Sequence, residues 1–397
     1  MDFQKKMILF ALLSLLASSV KAQAGIFHIT ENEATPSGDI TQALTNAWQE
    51  ACASTIPSKI LVSRGIYMLK QIEFRGPCMA PIEVQIDGII QAPPDPSQFD
   101  GNAQWVKFTY INFFTLSGNG TFDGQGAIAW RQNDCNVNKH CKRLSMNFGF
   151  GFLTNSVIQD ITSKDSKNFH INVLGCNNIT FTNLNIIAPK TSLNTDGIHI
   201  GRSIEVNIMN TRIATGDDCI SLGDGSRHIN VLNVTCGPGH GISVGSLGKY
   251  SYEKPIVGFT VRNCTLNNTD NGVRIKTWPD TPGNITVTNV RFEDIRMINV
   301  KNPIIIDQEY CPWNQCSRKS PSKIRISEII FRNIIGTSAT REAITLICSS
   351  KVPCEYVVFD NVYLTFKGII AAVKLANVRD IILGRVPPML RWLMAKP

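Results

Sequence analysis

Asp196-Gly-Ile-His-Ile-Gly, Asp218-Cys-Ile-Ser-Leu-Gly and His240-Gly-Ile-Ser-Val-Gly follow one another at intervals of 22 residues, and Asn271-Gly-Val-Arg-Ile-Lys and Asn302-Pro-Ile-Ile-Ile-Asp extend the series at intervals of 31. A second family of segments is interleaved with it: Asn178-Ile-Thr-Phe-Thr-Asn-Leu-Asn, Ile204-Glu-Val-Asn-Ile, His228-Ile-Asn-Val-Leu-Asn-Val, Phe259-Thr-Val-Arg-Asn, Asn284-Ile-Thr-Val-Thr-Asn-Val, Lys323-Ile-Arg-Ile-Ser and Tyr356-Val-Val-Phe-Asp-Asn-Val. Alternating apolar residues read as strands with one buried face, and the Asn-, Gly- and Asp-rich stretches between them read as turns. A repeat of roughly 20 to 50 residues marks a stacked solenoid. Two or three short strands per repeat predict an all-β parallel β-helix, a single domain over residues 23–397. The helical period appears at Ile40 to Ala51, which is expected to form a short cap on the N-terminal end.

In such a stack, equivalent residues of successive coils lie above one another at about 4.8 Å. Asp196, Asp218 and His240 therefore form a row. Asp and Asn are common turn residues, so any one of these positions could serve the corner alone. Stacked like charges, however, cost free energy and raise at least one pKa, which points to a site that needs unlike protonation states. Glycosidic cleavage uses such a pair, a protonated acid for the leaving oxygen and a carboxylate for water. Asp217 and Asp218 are adjacent, and neighbours in a regular strand face opposite ways. Both reach one cleft only if the backbone bends there, and Gly216 is the residue expected to allow it.

Arg274 and Lys276 stand two apart and share a face beside the acidic row. Two readings follow: they bind carboxylates of an acidic ligand, or they pair with the aspartates. His240, flanked by Gly239 and Gly241, either contacts a ligand or holds a neighbouring carboxylate. His199 lies inside a strand segment and is expected to pack or support.

The remaining sequence bounds the setting. Lys5 and Lys6 precede an apolar run from Met7 to Leu16, followed by small residues, the layout of a secretory signal peptide over residues 1–22 with cleavage between 22 and 24. That run is too short to cross a bilayer, and no membrane partner is expected. Twelve cysteines suit an oxidising, extracellular route, with near neighbours Cys52/Cys78, Cys135/Cys141, Cys219/Cys236, Cys311/Cys316 and Cys348/Cys354; Cys176 and Cys264 have no obvious local partner. No Cys/His spacing suits zinc, so neither metal nor cofactor is expected. Six Asn-X-Thr triplets, at Asn119, Asn178, Asn233, Asn263, Asn267 and Asn284, are available for glycosylation. The net charge of +8 favours a polyanionic partner. Positive residues are scattered without interleaved aromatics, which argues against nucleic acid and for an acidic polysaccharide, bound by a chain expected to be monomeric.

Asn194-Thr195-Asp196, Gly216-Asp217-Asp218, Gly239-His240-Gly241 and Arg274-Ile275-Lys276 resemble, in order, the four motifs of the polygalacturonase family. The resemblance runs from about residue 34 to the C-terminal region and is nearest to the plant pollen-type exopolygalacturonases. It implies a right-handed parallel β-helix that hydrolyses α-1,4 links between galacturonic acid units with inversion, in the cell wall. It also implies that Asp217 is the general acid and that Asp196 and Asp218 hold the attacking water, although an exchange of roles between Asp217 and Asp218 is left open. His240 completes the catalytic set; Asn194, Arg274, Lys276 and Tyr310 would bind substrate. An inverting pair would stand roughly 6.5 to 9.5 Å apart. Endo action, a calcium-dependent pectate lyase and a non-catalytic pectin-binding protein are the alternatives.

Overall fold

The computed structural model describes residues 25–29, 38–99, 103–135, 137, 138, 141 and 144–388. The expected signal peptide and its cleavage site lie outside these residues. Parallel strands stack into a right-handed β-helix, the hand that parallel crossovers almost always take.

Eleven of the strands form one sheet along the axis, from Ile72–Arg75 through Gln104–Thr109, Met146–Gly151, Ile171–Leu174, Ile198–Gly201, Ile220–Leu222, Ile242–Leu247, Asn271–Thr277, Asn302–Asp307 and Glu342–Ile347 to Ala372–Ala376. Its register is the one the repeat spacing implies, with Ile198 beside Ile220, Ile220 beside Ile242, Ile242 beside Val273 and Val273 beside Ile304. All five of these side chains point inward and are at most 1 % exposed. Burial of each contributes about 1.5–3 kcal/mol, and shifting any strand by one residue would turn its apolar set outward. Aromatic rings stack inside in the same way, Phe74 on Phe108 on Phe150 near one end and Phe292 on Phe331 on Phe359 near the other.

The second family of segments forms the larger sheet. From Ile256 onward its strands are longer than the sequence suggests, Ile256–Asn267, Thr286–Val300, Arg325–Ser338 and Glu355–Phe366, because pairing there runs on past the corner, which keeps the length and the single left-handed residue it has in earlier coils. That corner is a column from Asp160 through Asn183, Asn210, Asn233, Asn263, Asp294 and Asn333 to Asn361, every member at positive φ. Asn and Asp tolerate this conformation better than other side-chain-bearing residues. Their amides bond along the column, Asn183 to Asp160, Asn233 to Asn210, Asn333 to Asp294 and Asn361 to Asn333, at 2.8–2.9 Å.

The N-terminal helix, α1, spans Thr41–Ala53, two residues beyond the expected end. Ile40 sits before it, fully buried, and the carboxylate of Asp39, one residue earlier, accepts from the Thr41 amide at 2.9 Å, satisfying one of the donors left free at a helix start. Leu44, Ala47, Trp48 and Ala51 close the stack, and Trp48 packs on Phe74. All five neighbouring cysteine pairs are disulfides, while Cys176 and Cys264 are free and buried. Among the described residues no helix is long and apolar enough to cross a membrane.

Candidate active site

Successive coils deliver the candidate residues to one place. Asn194 and Asp196 precede Ile198–Gly201, Asp217 and Asp218 precede Ile220–Leu222, and His240 precedes Ile242–Leu247. Arg274 and Lys276 project from Asn271–Thr277, and Tyr310 follows Asn302–Asp307. All eight line a single cleft of about 510 Å³.

The chain bends at Thr215–Asp218, between strands Arg212–Ala214 and Ile220–Leu222, so the two adjacent aspartates escape strand alternation. Asp217 accepts the Asp218 amide on its own Oδ1 at 2.8 Å. Gly216 is required here for space, not for an unusual backbone angle: a Cβ would stand 1.9 Å from the Ser192 carbonyl oxygen. Gly241 does need its freedom, with φ of 91° and the Asn271 carbonyl 2.1 Å from where a Cβ would be.

The three carboxylates occupy different environments. Asp218, 1 % exposed, is gripped by Lys276 Nζ and Arg274 Nη2, each at 2.8 Å, and by the Ser243 hydroxyl at 3.0 Å. Burial pushes its pKa up, but Lys276 and Arg274 together outweigh that and bring it down to about 2. Asp196 is similarly buried, yet accepts only the Ser221 hydroxyl at 3.0 Å. Burial first, then the nearby charges of Asp217 and Asp218, raise its pKa well above the usual carboxylate value. Asp217 is the most open of the three, its side chain 23 % exposed against 2 % for Asp218. It binds His240 Nδ1 at 2.9 Å.

His240 keeps its backbone place in the row, but its ring turns to Asp217 on one side and lies 3.6 Å from Asp270 Oδ2 on the other. The bond to Asp217 raises its pKa despite burial, and the charges of Asp217, Asp218 and Asp270 add to that rise. Arg274 and Lys276 thus pair with an aspartate; Arg274 commits two of its five N–H groups, to Ser243 and Asp218. Lys276 also lies 5.3 Å from the Tyr310 ring centre. Oxygens of Asp217 and Asp218 come within 4.8 Å of each other, together with a His240 nitrogen. That set could chelate a cation, but Lys276 and Arg274 already supply positive charge to both Asp218 oxygens.

Sequence reading passed over Ser221 and Ser243. They occupy the same place in consecutive copies, three residues after Asp218 and His240, and each binds the aspartate of the preceding coil. His199 also lines the cleft, donating to or accepting from Ser221 at 2.8 Å; burial lowers its pKa to about 4, so it stays neutral. Phe169 and Pro312, which line the same cleft, carried no motif signal.

Three buried or half-buried carboxylates in unlike states, at the mouth of a polar cleft on a parallel β-helix, are the equipment of glycoside hydrolysis. The chain belongs to glycosyl hydrolases family 28, whose model matches residues 52–381. It is 55 % identical over 381 residues to a polygalacturonase of Medicago sativa, covering 94 % of this chain and 89 % of that one. It is 54 % identical over 332 residues to an exopolygalacturonase of Oenothera organensis, covering 83 % and 91 %. In fold it is similar to the endo-xylogalacturonan hydrolase of Aspergillus tubingensis, with a TM-score of 0.80 at 24 % identity over 91 % of this chain and 98 % of that one.

Proposed function

We propose that this protein hydrolyses the α-1,4 links of polygalacturonate, with inversion and from the chain end, outside the cell in the plant wall. The observation that carries the reading is the division of labour among the three carboxylates. Asp218 is held ionised by two cations, which suits holding and activating water and disfavours it as the acid. Asp196 stands one coil away, about 4.8 Å along the axis, and would share that water. Asp217, the most open, faces the side from which a glycosidic oxygen can approach, with His240 fixing its orientation. The remaining donors of Arg274, together with Asn194 and Tyr310, would receive the uronate. The leader-like residues 1–22 and five disulfides support the extracellular placement.

Burial and the neighbouring carboxylates favour a proton on Asp196. A second reading, in which Asp196 itself is the acid, is favoured by its raised pKa. An aryl galacturonide with a good leaving group needs no protonation, so it should restore turnover to whichever variant lacks the acid. Rescue of Asp217→Asn supports the first reading; rescue of Asp196→Asn alone supports the second.

Digestion of polygalacturonate tests the activity itself. New reducing ends and released monomer are expected, with the inverted anomer seen first by NMR. An unsaturated, ultraviolet-absorbing product would instead indicate a lyase, and a ladder of oligomers would indicate endo action.

A further inference from the structure

The outward column of side chains that floors the cleft does not end there. His199, Ser221, Ser243 and Arg274 are register partners in consecutive coils. In the other direction the same column continues through Asn172 to Gly149 and Lys107. A second cavity, of about 320 Å³, lies over that stretch. It begins one coil from the cleft, and its centre at Gly149 is two coils from His199, roughly 10 Å along the axis.

Its construction is unlike that of the sheet around it. Gly149 and Gly151 take outward positions on their strand, and the Gln104 side chain lies across Gly149, its Cγ 2.5 Å from where a Cβ would stand, so the floor there is low and is formed by Gln104 and Thr109. One wall is a stack of two rings, Tyr110 and Phe152, with centres 5.0 Å apart and planes within 6°. The Arg75 guanidinium lies over the outer face of Tyr110 at 4.9 Å. Both aromatic residues sit at positive φ, 58° and 56°, a conformation that disfavours bulky side chains. The next coil has Gly175 in the equivalent place, also at positive φ. Burial does not compensate, because Tyr110 and Phe152 remain 45 % and 47 % exposed. Arg202, one coil beyond Gly175, is left-handed as well, so the conformation belongs to this corner of the fold; what sets the coils of Tyr110 and Phe152 apart is the exposed aromatic pair held in it. Arg75 and Lys107 share a single carboxylate, Glu73, at 3.7 and 3.3 Å, which leaves the trough one positive charge in excess.

We propose that this trough is a second binding site for the acidic polysaccharide, an anchor for uronate units of the same chain that enters the cleft. The proposal rests on the reading of the cleft as a polyuronate hydrolase. Shared floor and charge complementarity select the occupant: a neutral sugar chain would leave the one positive charge that Glu73 does not balance without a counterpart. The rigid ring stack holds Arg75 at the rim, while Lys107 and the Asn172 amide meet the ligand from the floor. Chains long enough to reach both places would bind more tightly than short ones, since the second contact is made at high effective concentration.

The test compares substrates by length in the full-length protein. Arg75→Ala/Lys107→Ala, and separately Tyr110→Ser in case the double variant fails to fold, should raise KM for long polygalacturonate about five- to tenfold and leave kcat/KM for trigalacturonate within about twofold. Equal loss on both substrates, or no loss on the polymer, overturns the proposal. Retardation in gels containing polygalacturonate, measured in the Asp217→Asn background, reads the anchor without turnover. Retardation that each trough substitution weakens, and that a neutral galactan gel does not reproduce, supports the site even if the protein hydrolyses nothing, the result that would sink the reading of the cleft. Retardation unaffected by the substitutions, or equal in the neutral gel, overturns the anchor while leaving that reading intact.

Discussion

Two columns of short polar residues run up this molecule, and they are built from nearly the same chemistry. At the outer corner, Asp160, Asn183, Asn210, Asn233 and their successors bond amide to carbonyl or carboxylate along the axis, exposed to water. In the cleft, Asp196 and Asp218 stack at the same strand spacing but do not bond to one another; each turns to a serine of the following coil. Beyond them the cleft column itself reverts to amides, with Asn271 donating to the His240 carbonyl and Asn302 to Asn271. Stacking is thus a neutral device of the fold wherever a donor can sit between acceptors. Replacing the donors by buried carboxylates converts the same geometry into stored electrostatic free energy, with Lys276 and Arg274 favouring the ionised form of Asp218 while burial and the neighbouring carboxylates favour the protonated form of Asp196.

The contrast is broken most severely by exchanging carboxylate for amide inside the cleft. Asp217→Asn should lower kcat on polygalacturonate by about 10²–10⁴-fold, the usual contribution of a positioned acid, with the fold retained. Near-normal turnover would refute its assignment. Asp218→Asn should abolish turnover as well, but with a second signature. It leaves Lys276 and Arg274, both largely buried, without their counter-charge, and breaking a buried pair costs about 3–5 kcal/mol. Denaturant unfolding should show that loss; full stability would mean that solvent reaches the pair and that its depressed pKa is not due to the cations.

A gentler exchange sharpens the comparison through pH. The pKa of Asp218 is depressed, so its stabilisation is present above the ordinary value of 3.8 and lost as pH falls through about 2. Asp196 is raised, and the sign reverses: its contribution is complete below 3.8 and disappears as pH climbs through the raised value. Asp196→Asn should therefore be more stable than wild type at neutral pH, and the gap in Tm should widen as pH rises from about 4. His240, also raised, remains in both proteins and gives both a further decline above its ordinary 6.5. A constant Tm difference across that range would show that Asp196 carries no unusual proton.

The legibility of these features followed their dependence on spacing. Intervals of 22 and 31 residues sufficed for the sheet register and for bringing eight residues into one cleft, because a solenoid maps sequence period directly onto position. The same intervals also held Ser221 and Ser243, which were overlooked because serine in a strand has no chemical signature until its partner is known. What periodicity could not convey was direction and occupancy. Nothing in Arg274-Ile-Lys276 decides between a ligand carboxylate and an aspartate of the row as partner, or singles out Asp218, which lies 56 to 58 residues away in sequence. Gly216 was read as a flexible hinge, whereas its role is clearance under the Ser192 carbonyl, a contact between coils.

The mildest exchange runs in the opposite direction, at the corner. Asn210 accepts from Asn233 at 2.8 Å, and an aspartate offers the same acceptor and the same tolerance of positive φ. The column already contains Asp160 and Asp294 in that role. Asn210→Asp should consequently leave stability within about 0.5 kcal/mol and leave activity untouched, as expected of exposed sites. The same atom-for-atom swap is thus silent in one column and abolishes function in the other, because water screens the corner and burial removes that screening in the cleft. If Asn210→Asp proved as costly as Asp218→Asn, solvent exposure would not be what separates the two columns, and the electrostatic account of the cleft would lose its reference.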